Sequence, residues 1–326
     1  MNKITLADSG RQTTVLGFGG SSLMGALNRR QSLVMLEAAF DAGIRHFDVA
    51  PMYGYGEAES CLGDFLQRHR GDVTVTTKYG MPPGKNSSMI KVARQIVRPV
   101  VKMLPAVKKR LASVASAATR NEERASFTAG QAKASLERSL AELRTDRIDV
   151  WLLHEVEASD LQDDGLLRFL EEQVRSGKVG SFGIGSEAGK VAELLTNRPA
   201  YCRVLQYEWS VLDATVPSGG PFRIHHRALT NNFRSLYESL QGKPSICKQW
   251  SDEVGMDLGS KENLARLMLK ASLVANPSSV ILFSSKSPHH IQDNVRTASE
   301  DTLSHGARRL HELVLAQGGQ FLAGTK

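Results

Sequence analysis

Eight short apolar runs lie along this chain, most of the early ones followed by a stretch of helical spacing, and that pattern restricts the fold more than any other feature. The runs are VLGFGG (15–20), HFDVA (46–50), VTVTTK (73–78), IDVWLLHE (148–155), KVGSFGIGS (178–186), VLQYEW (204–209), RIHHRAL (223–229) and SVILFSS (279–285). Most are apolar on both faces, as strands of a buried parallel sheet are. Helical spacing follows at 32–43, stopped by Gly43, then at 57–69, at 128–144 with Thr128 as a cap, and at 166–178 and 190–197. Eight such strands separated by helices predict an α/β fold, a (β/α)8 TIM barrel forming one domain over the 326 residues. A doubly wound sheet would carry a G-x-G-x-x-G turn after its first strand, and GFGGSS lacks the third glycine.

Three segments depart from the repeat. Residues 3–14 alternate apolar and polar around Asp8-Ser9-Gly10, which predicts a hairpin closing the bottom of the barrel. The connector 211–221, VLDATVPSGGP, is too short and too rich in Pro and Gly for a full helix, so a loop is expected and that side of the barrel should be thinly covered. The third departure is an insertion at about 81–126, after strand three, broken by Pro99 and Pro105. The formal net charge is +7, and this insertion holds ten lysines and arginines against two glutamates. The basicity is therefore local, and a nucleic-acid-binding role for the whole surface is not indicated. A surface flap over the rim, a lid for an anionic substrate and an amphipathic membrane-surface segment are the readings the insertion allows.

Composition adds exclusions. No apolar run approaches the roughly 20 residues that span a bilayer, and MNKITLADSG has no signal-peptide core, so a cytoplasmic protein without stable membrane association is expected. Cys61, Cys202 and Cys247 form no CxxC pair and suggest neither a disulfide framework nor a zinc site. The doublets His225-His226 and His289-His290 have no acidic or cysteine partners at ligand spacing, and no metal is expected.

The chemistry concentrates at 46–60, HFDVAPMYGYGEAES. Asp48 lies inside an apolar strand, where a carboxylate is costly unless a cation pairs with it. Lys78, closing the next strand, would reach the same rim if the two strands are parallel neighbours. Tyr53 falls in the turn above that rim. A free phenol has a pKa of about 10 and is a poor acid near neutrality unless an ammonium stabilises its phenolate, so acid, lysine and tyrosine together suggest proton donation. His154 ends a further strand at the same rim. Singly, each of these residues is more often structural; their convergence at strand ends is what carries the reading.

These residues resemble the aldo-keto reductase family. Its Asp, Tyr, Lys, His tetrad is matched by Asp48, Tyr53, Lys78 and His154, and the segments DAGIRHFDVAPMYGYGEAE, TKYG, SLERSLAELRTDRIDVWLLH and GKVGSFGIG follow in the family's order. The resemblance, running from about 12 to 298, implies reversible reduction of an aldehyde or ketone by hydride transfer from a nicotinamide cofactor. Tyr53 would protonate the alkoxide, Lys78 lower the phenol's pKa, Asp48 anchor Lys78, and His154 orient the carbonyl.

It also implies cofactor contacts. Gln206 would bind the carboxamide; Ser186 follows Gly185 where the family usually has Ser-Asn; His226 stands where a tyrosine commonly stacks on the nicotinamide. Ser285, Lys286 and Ser287 occupy the adenosine-phosphate loop ahead of a helix, where free N–H groups favour anions. His290 replaces an arginine common in NADPH-using members, and Asn294 would face the adenine. NADP(H) is favoured over NAD(H), with Lys286 sharing the 2′-phosphate. Ser21 and Ser22 are also placed to approach the cofactor. The competing reading is a non-catalytic nicotinamide-binding redox sensor, as the potassium-channel β-subunits of this family are thought to be. Substrate and oligomeric state stay open.

Overall fold

A computed structural model of the chain describes residues 1–83, 125–162, 164–213 and 220–322. Most of the basic insertion and the centre of the 211–221 connector lie outside the described residues.

The chain begins with β1 (Lys3–Thr5) and β2 (Gln12–Thr14), an antiparallel pair that places Lys3 opposite Thr14, with Gly10 at φ 68° in the turn. Leu6, between them, is fully buried among Val150, Leu152, Val204, Ile224, Val280 and Leu282, so the hairpin fills the base of the barrel with an apolar plug.

The barrel strands are β3 (Leu16–Gly19), β4 (His46–Asp48), β5 (Thr74–Tyr79), β6 (Ile148–His154), β7 (Val179–Gly185), β8 (Val204–Glu208), β9 (Phe222–His226) and β10 (Val280–Phe283). They close in the order β10-β3-β4-β5-β6-β7-β8-β9, with parallel pairing throughout. All eight expected runs form strands. Several end before their expected runs do; after His154 and His226 the cause is that Glu155 and Arg227 adopt left-handed φ of 55° and 59°, turning the chain out of the sheet.

Helices α1 (Arg29–Asp41), α2 (Ala58–His69), α3 (Ala129–Leu143), α4 (Asp164–Arg175) and α5 (Ala188–Asn197) cover the outer faces of the early strands. Asn28 and Gln31 form a reciprocal capping box on α1, and Thr128 accepts from Gln131 N–H at the start of α3. The core between sheet and helices is centred on Phe18, Phe47, Phe65, Trp151 and Phe182.

The second half is more helical than the alternation predicts: α6 (Thr230–Gln241), α7 (Pro244–Val254), α8 (Lys261–Ala275), α9 (Pro288–Ser299) and α10 (Ser304–Leu322) follow β9. These helices correct the expectation of a thinly covered side after strand six. Trp209, just past β8, meets His311 of α10 edge-on at 5.8 Å, and Val211 is buried in a cluster built around Trp250, Leu267 and Leu310. A distant part of the chain thus supplies cover on this side.

Candidate active site

Side chains alternate along each strand, so on β4 and β5 the odd and even residues take opposite faces. Phe47 and Val75 join the outer core, which turns His46, Asp48, Thr74, Thr76 and Lys78 into the barrel. Beneath the rim this interior is polar on one side. His46 Nδ1 lies 3.0 Å from Thr74 Oγ1 and its Nε2 lies 3.2 Å from Thr76 Oγ1, while Thr74 pairs with Thr13 at 2.7 Å. Both ring nitrogens are satisfied by hydroxyls, and burial first, then the charge of Lys78, lowers the His46 pKa to about 3.

At the rim, Lys78 Nζ donates to Asp48 Oδ1 at 2.7 Å and to the Val49 carbonyl at 3.0 Å, with the lysine almost completely buried. Burial pulls the ammonium's pKa down, but Asp48 and then Tyr53 outweigh it and hold the pKa above its ordinary value. Lys78 therefore carries its charge at neutral pH.

Tyr53 stands in a single tight turn, Tyr53–Gly56, where Gly54, Tyr55 and Gly56 all have positive φ. Gly54 is required there: a Cβ would come within 2.5 Å of the Leu23 carbonyl. The turn brings the Tyr53 ring centroid to 5.3 Å from Lys78 Nζ, so the ammonium's charge acts directly on the phenol. Lys78 is the strongest influence on the phenol and acts downward, yet burial and Asp48 together leave the pKa above 10. The lowering by Lys78 that the sequence suggested is present, but burial and Asp48 together outweigh it. Tyr53 is therefore protonated at neutral pH.

His154 ends β6 beside Gly185. Burial first, then Lys78 and His226, lower its pKa to about 3, so its imidazole is neutral. Its Nδ1 is buried without a hydrogen-bond partner. A proton there would be an unsatisfied donor, and the tautomer protonated at Nε2 avoids that cost.

These four residues line one cavity of about 800 Å³ together with Ser186, Gln206, His226 and Asn294. The residues on β4 to β6 form one wall, and those on β7 to α9 the other. Gln206 Nε2 donates to Asp48 Oδ2 at 2.6 Å, and Ser186 N–H donates to the Gln206 carbonyl at 3.1 Å. His226, lowered to about 4 chiefly by burial, is likewise neutral.

The expected phosphate loop is only partly in this cavity. Ser284, unremarked in the sequence, lines it, whereas Ser285, Lys286, Ser287 and His290 do not. Ser285 Oγ is engaged within the loop, donating to the Ser287 carbonyl and accepting from the Ser287 N–H. Lys286 and His290 are exposed at the start of α9, and Ser287, its N-cap, makes no side-chain capping bond. Ser21 lines the cavity and meets Ser284 at 3.2 Å; Ser22 is buried beneath, outside it.

Sequence reasoning also missed Glu155, Glu187, Glu208 and Arg227 at the mouth. Glu208 follows Gln206 by two on the same strand and so shares its inward face, a signal that strand periodicity contains. Among the described residues no group of three or more His, Cys, Asp or Glu side chains is arranged to hold a metal, and no helix is long and apolar enough to cross a membrane.

A sequence model described as the aldo/keto reductase family matches residues 15–220. D-threo-aldose 1-dehydrogenase from a Pseudomonas species is 34% identical over 194 residues, covering 55% of this chain and 52% of that protein. Pyridoxal 4-dehydrogenase from Microbacterium luteolum is 42% identical over 81 residues, 24% of each. The chain spans about half the length, or less, of the curated relatives it matches. An aldo-keto reductase from Bacillus halodurans, solved in its holo form, superposes with a TM-score of 0.68 at 18% identity over 95% of this chain and 96% of that one. An aldo/keto reductase from Klebsiella pneumoniae, solved with NADP and acetate, gives 0.63 at 17% identity over 95% and 96%. At these identities the likeness is one of fold.

Proposed function

Because the chain belongs to the aldo/keto reductase family, we propose that it interconverts a small-molecule aldehyde or ketone and the corresponding alcohol, using NADP(H). The observation that carries the reading is the buried chain of contacts from Asp48 through Lys78 to the Tyr53 phenol, lining a cavity that also holds His154.

Tyr53 is the acid. It transfers its phenolic proton to the oxygen of the carbonyl as negative charge develops there, and the Lys78 ammonium stabilises the phenolate left behind. Asp48 keeps Lys78 charged and in place. His154, neutral and protonated at Nε2, donates a hydrogen bond that orients the carbonyl oxygen. In the reverse direction the phenolate accepts the alcohol's proton.

The residues present fit a nicotinamide dinucleotide. The cavity reaches from Lys78 past Gln206 to Ser284 and Asn294, and the first turn of α9 keeps backbone N–H groups that Ser287 does not cap. When bound, the nicotinamide supplies or accepts the hydride. Gln206 and Ser186 would hold its carboxamide and His226 would lie against its ring. Lys286 and His290, exposed beside that helix start, would hold the 2′-phosphate, which favours NADP(H). The Klebsiella pneumoniae neighbour's complex with NADP agrees with that preference.

The test is consumption of NADPH and of NADH with a panel of small aldehydes and ketones, alongside fluorescence titration of each cofactor. Turnover supports the reading. Tight cofactor binding with no turnover of any carbonyl would replace it with redox sensing.

A further inference from the structure

Asp48 has two oxygens and a different partner for each. Oδ1 accepts from Lys78 at 2.7 Å and Oδ2 from Gln206 Nε2 at 2.6 Å. In the closed strand order β4 and β8 stand four strands apart in either direction, so the second bond crosses the mouth from wall to wall. Both residues are 3% exposed, so the bond lies out of reach of bulk solvent.

We infer that Gln206 is a positioning residue for proton donation: its amide N–H fixes the Asp48 carboxylate in the orientation that anchors Lys78, and so ties the nicotinamide side of the cavity to the acid Tyr53. The inference rests on the reading of the reaction given above and goes beyond a role in holding the carboxamide.

A buried carboxylate needs donors at both oxygens. Deprived of the Gln206 bond, Oδ2 would be left unsatisfied and Asp48 would be free to pivot, which loosens Lys78. Tyr53 feels this directly, because the Lys78 ammonium stands 5.3 Å from its ring centroid and is the strongest charge acting on it. The other end of the same amide is set toward the cofactor side. Gln206 Oε1 lies 3.6 Å from where a Cβ on Gly185 would stand, next to Ser186. One planar amide thus presents its nitrogen to the proton-handling pair and its oxygen to the region proposed for the carboxamide. Rotation of that amide by a badly seated ligand would be felt at Asp48.

The experiment compares wild type with Gln206→Leu, Asp48→Asn and the double variant. Cofactor is held at saturation as fixed by fluorescence titration for each protein. The expected result for Gln206→Leu is a single-turnover reduction rate lower by on the order of a hundredfold, with a larger solvent deuterium isotope effect. The double variant should be no slower than Asp48→Asn alone, as for residues acting through one contact. A Gln206→Leu protein that binds cofactor more weakly but reacts at saturation with the wild-type rate and isotope effect overturns the inference. So do losses that multiply in the double variant.

A second readout requires no turnover. In isotope-labelled wild type, one Gln206 side-chain amide proton should resonate well downfield of ordinary glutamine and return in Asp48→Asn. Ordinary positions in wild type overturn the tie even in an active reductase. A wild type that keeps the shifted resonance but reduces no carbonyl overturns the catalytic role together with the reaction, and leaves the tie itself standing.

Discussion

Lys78 Nζ lies 2.7 Å from Asp48 Oδ1, with the two side chains only 2% and 4% exposed. Such a pair is worth little as a source of stability by itself, because both charges have left water, but breaking it from one side strands the other charge. Lys78→Met should therefore destabilise the protein by about 3–5 kcal/mol. Lys78→Met combined with Asp48→Asn should recover part of that loss. Chemical denaturation of the three proteins checks the order, and a double variant less stable than Lys78→Met would contradict it.

Tyr53→Phe keeps the ring and removes the proton. Reduction should slow by on the order of 10³-fold or more, while cofactor affinity stays within about twofold of wild type. Near-normal turnover by the phenylalanine variant would remove Tyr53 from the role of acid.

The turn that carries Tyr53 is sterically exacting. Gly54 and Gly10 share left-handed φ values of 58° and 68°, but a Cβ on Gly54 meets the Leu23 carbonyl at 2.5 Å and one on Gly10 meets nothing within 4 Å. Gly10→Ala should cost about 1 kcal/mol from the dihedral alone. Gly54→Ala should cost clearly more and should also impair catalysis, since the turn must shift. Equal thermal shifts for the two would refute the steric account.

The buried histidines make stability fall on the acid side. His46, His154 and His225 are lowered to about 3 and His226 to about 4, against about 6.5 when unfolded. As pH drops below 6.5 the unfolded chain takes up protons that the folded chain refuses. The stability present above pH 6.5 is therefore lost progressively toward pH 3, by up to about 1.4 kcal/mol per pH unit for each histidine. Glu59 and Asp149, raised chiefly by burial, offset part of this. His46→Asn should flatten the slope of unfolding free energy between pH 4 and 6 by about one proton; an unchanged slope would mean that His46 does not titrate differently on unfolding.

Cofactor choice is predicted to rest on exposed charge. Lys286→Ala should weaken NADPH about tenfold and leave NADH unaffected, with the NADPH effect shrinking as salt rises. Equal weakening of both cofactors would move the 2′-phosphate elsewhere.

What was legible in the sequence follows from local periodicity. Parallel strands buried on both faces announce themselves as apolar runs, and all eight appear. Asp48, Tyr53, Lys78 and His154 could be gathered because each sits at or just past a strand end. The C-terminal helices were harder to read. Along α8, Leu264, Leu267, Met268, Leu269, Ala271 and Leu273 are all buried, so no single stripe stands out from the rest. The bond from Gln206 to Asp48 spans 158 positions and depends on barrel closure, which no local pattern contains. The lowering of Tyr53 by Lys78 is legible in the sequence, whereas the burial that opposes it is a property of the folded mouth.

The cavity is built from two walls contributed by successive portions of the chain, one bearing the proposed acid and the other the proposed surfaces for a redox carrier. Recombination near Gly185 would therefore exchange ligand preference without rebuilding the acid, as interchangeable parts do. The seam has a single condition attached. Whatever second portion is grafted on must present an N–H donor at position 206, or the hybrid would inherit two sound halves that do not engage.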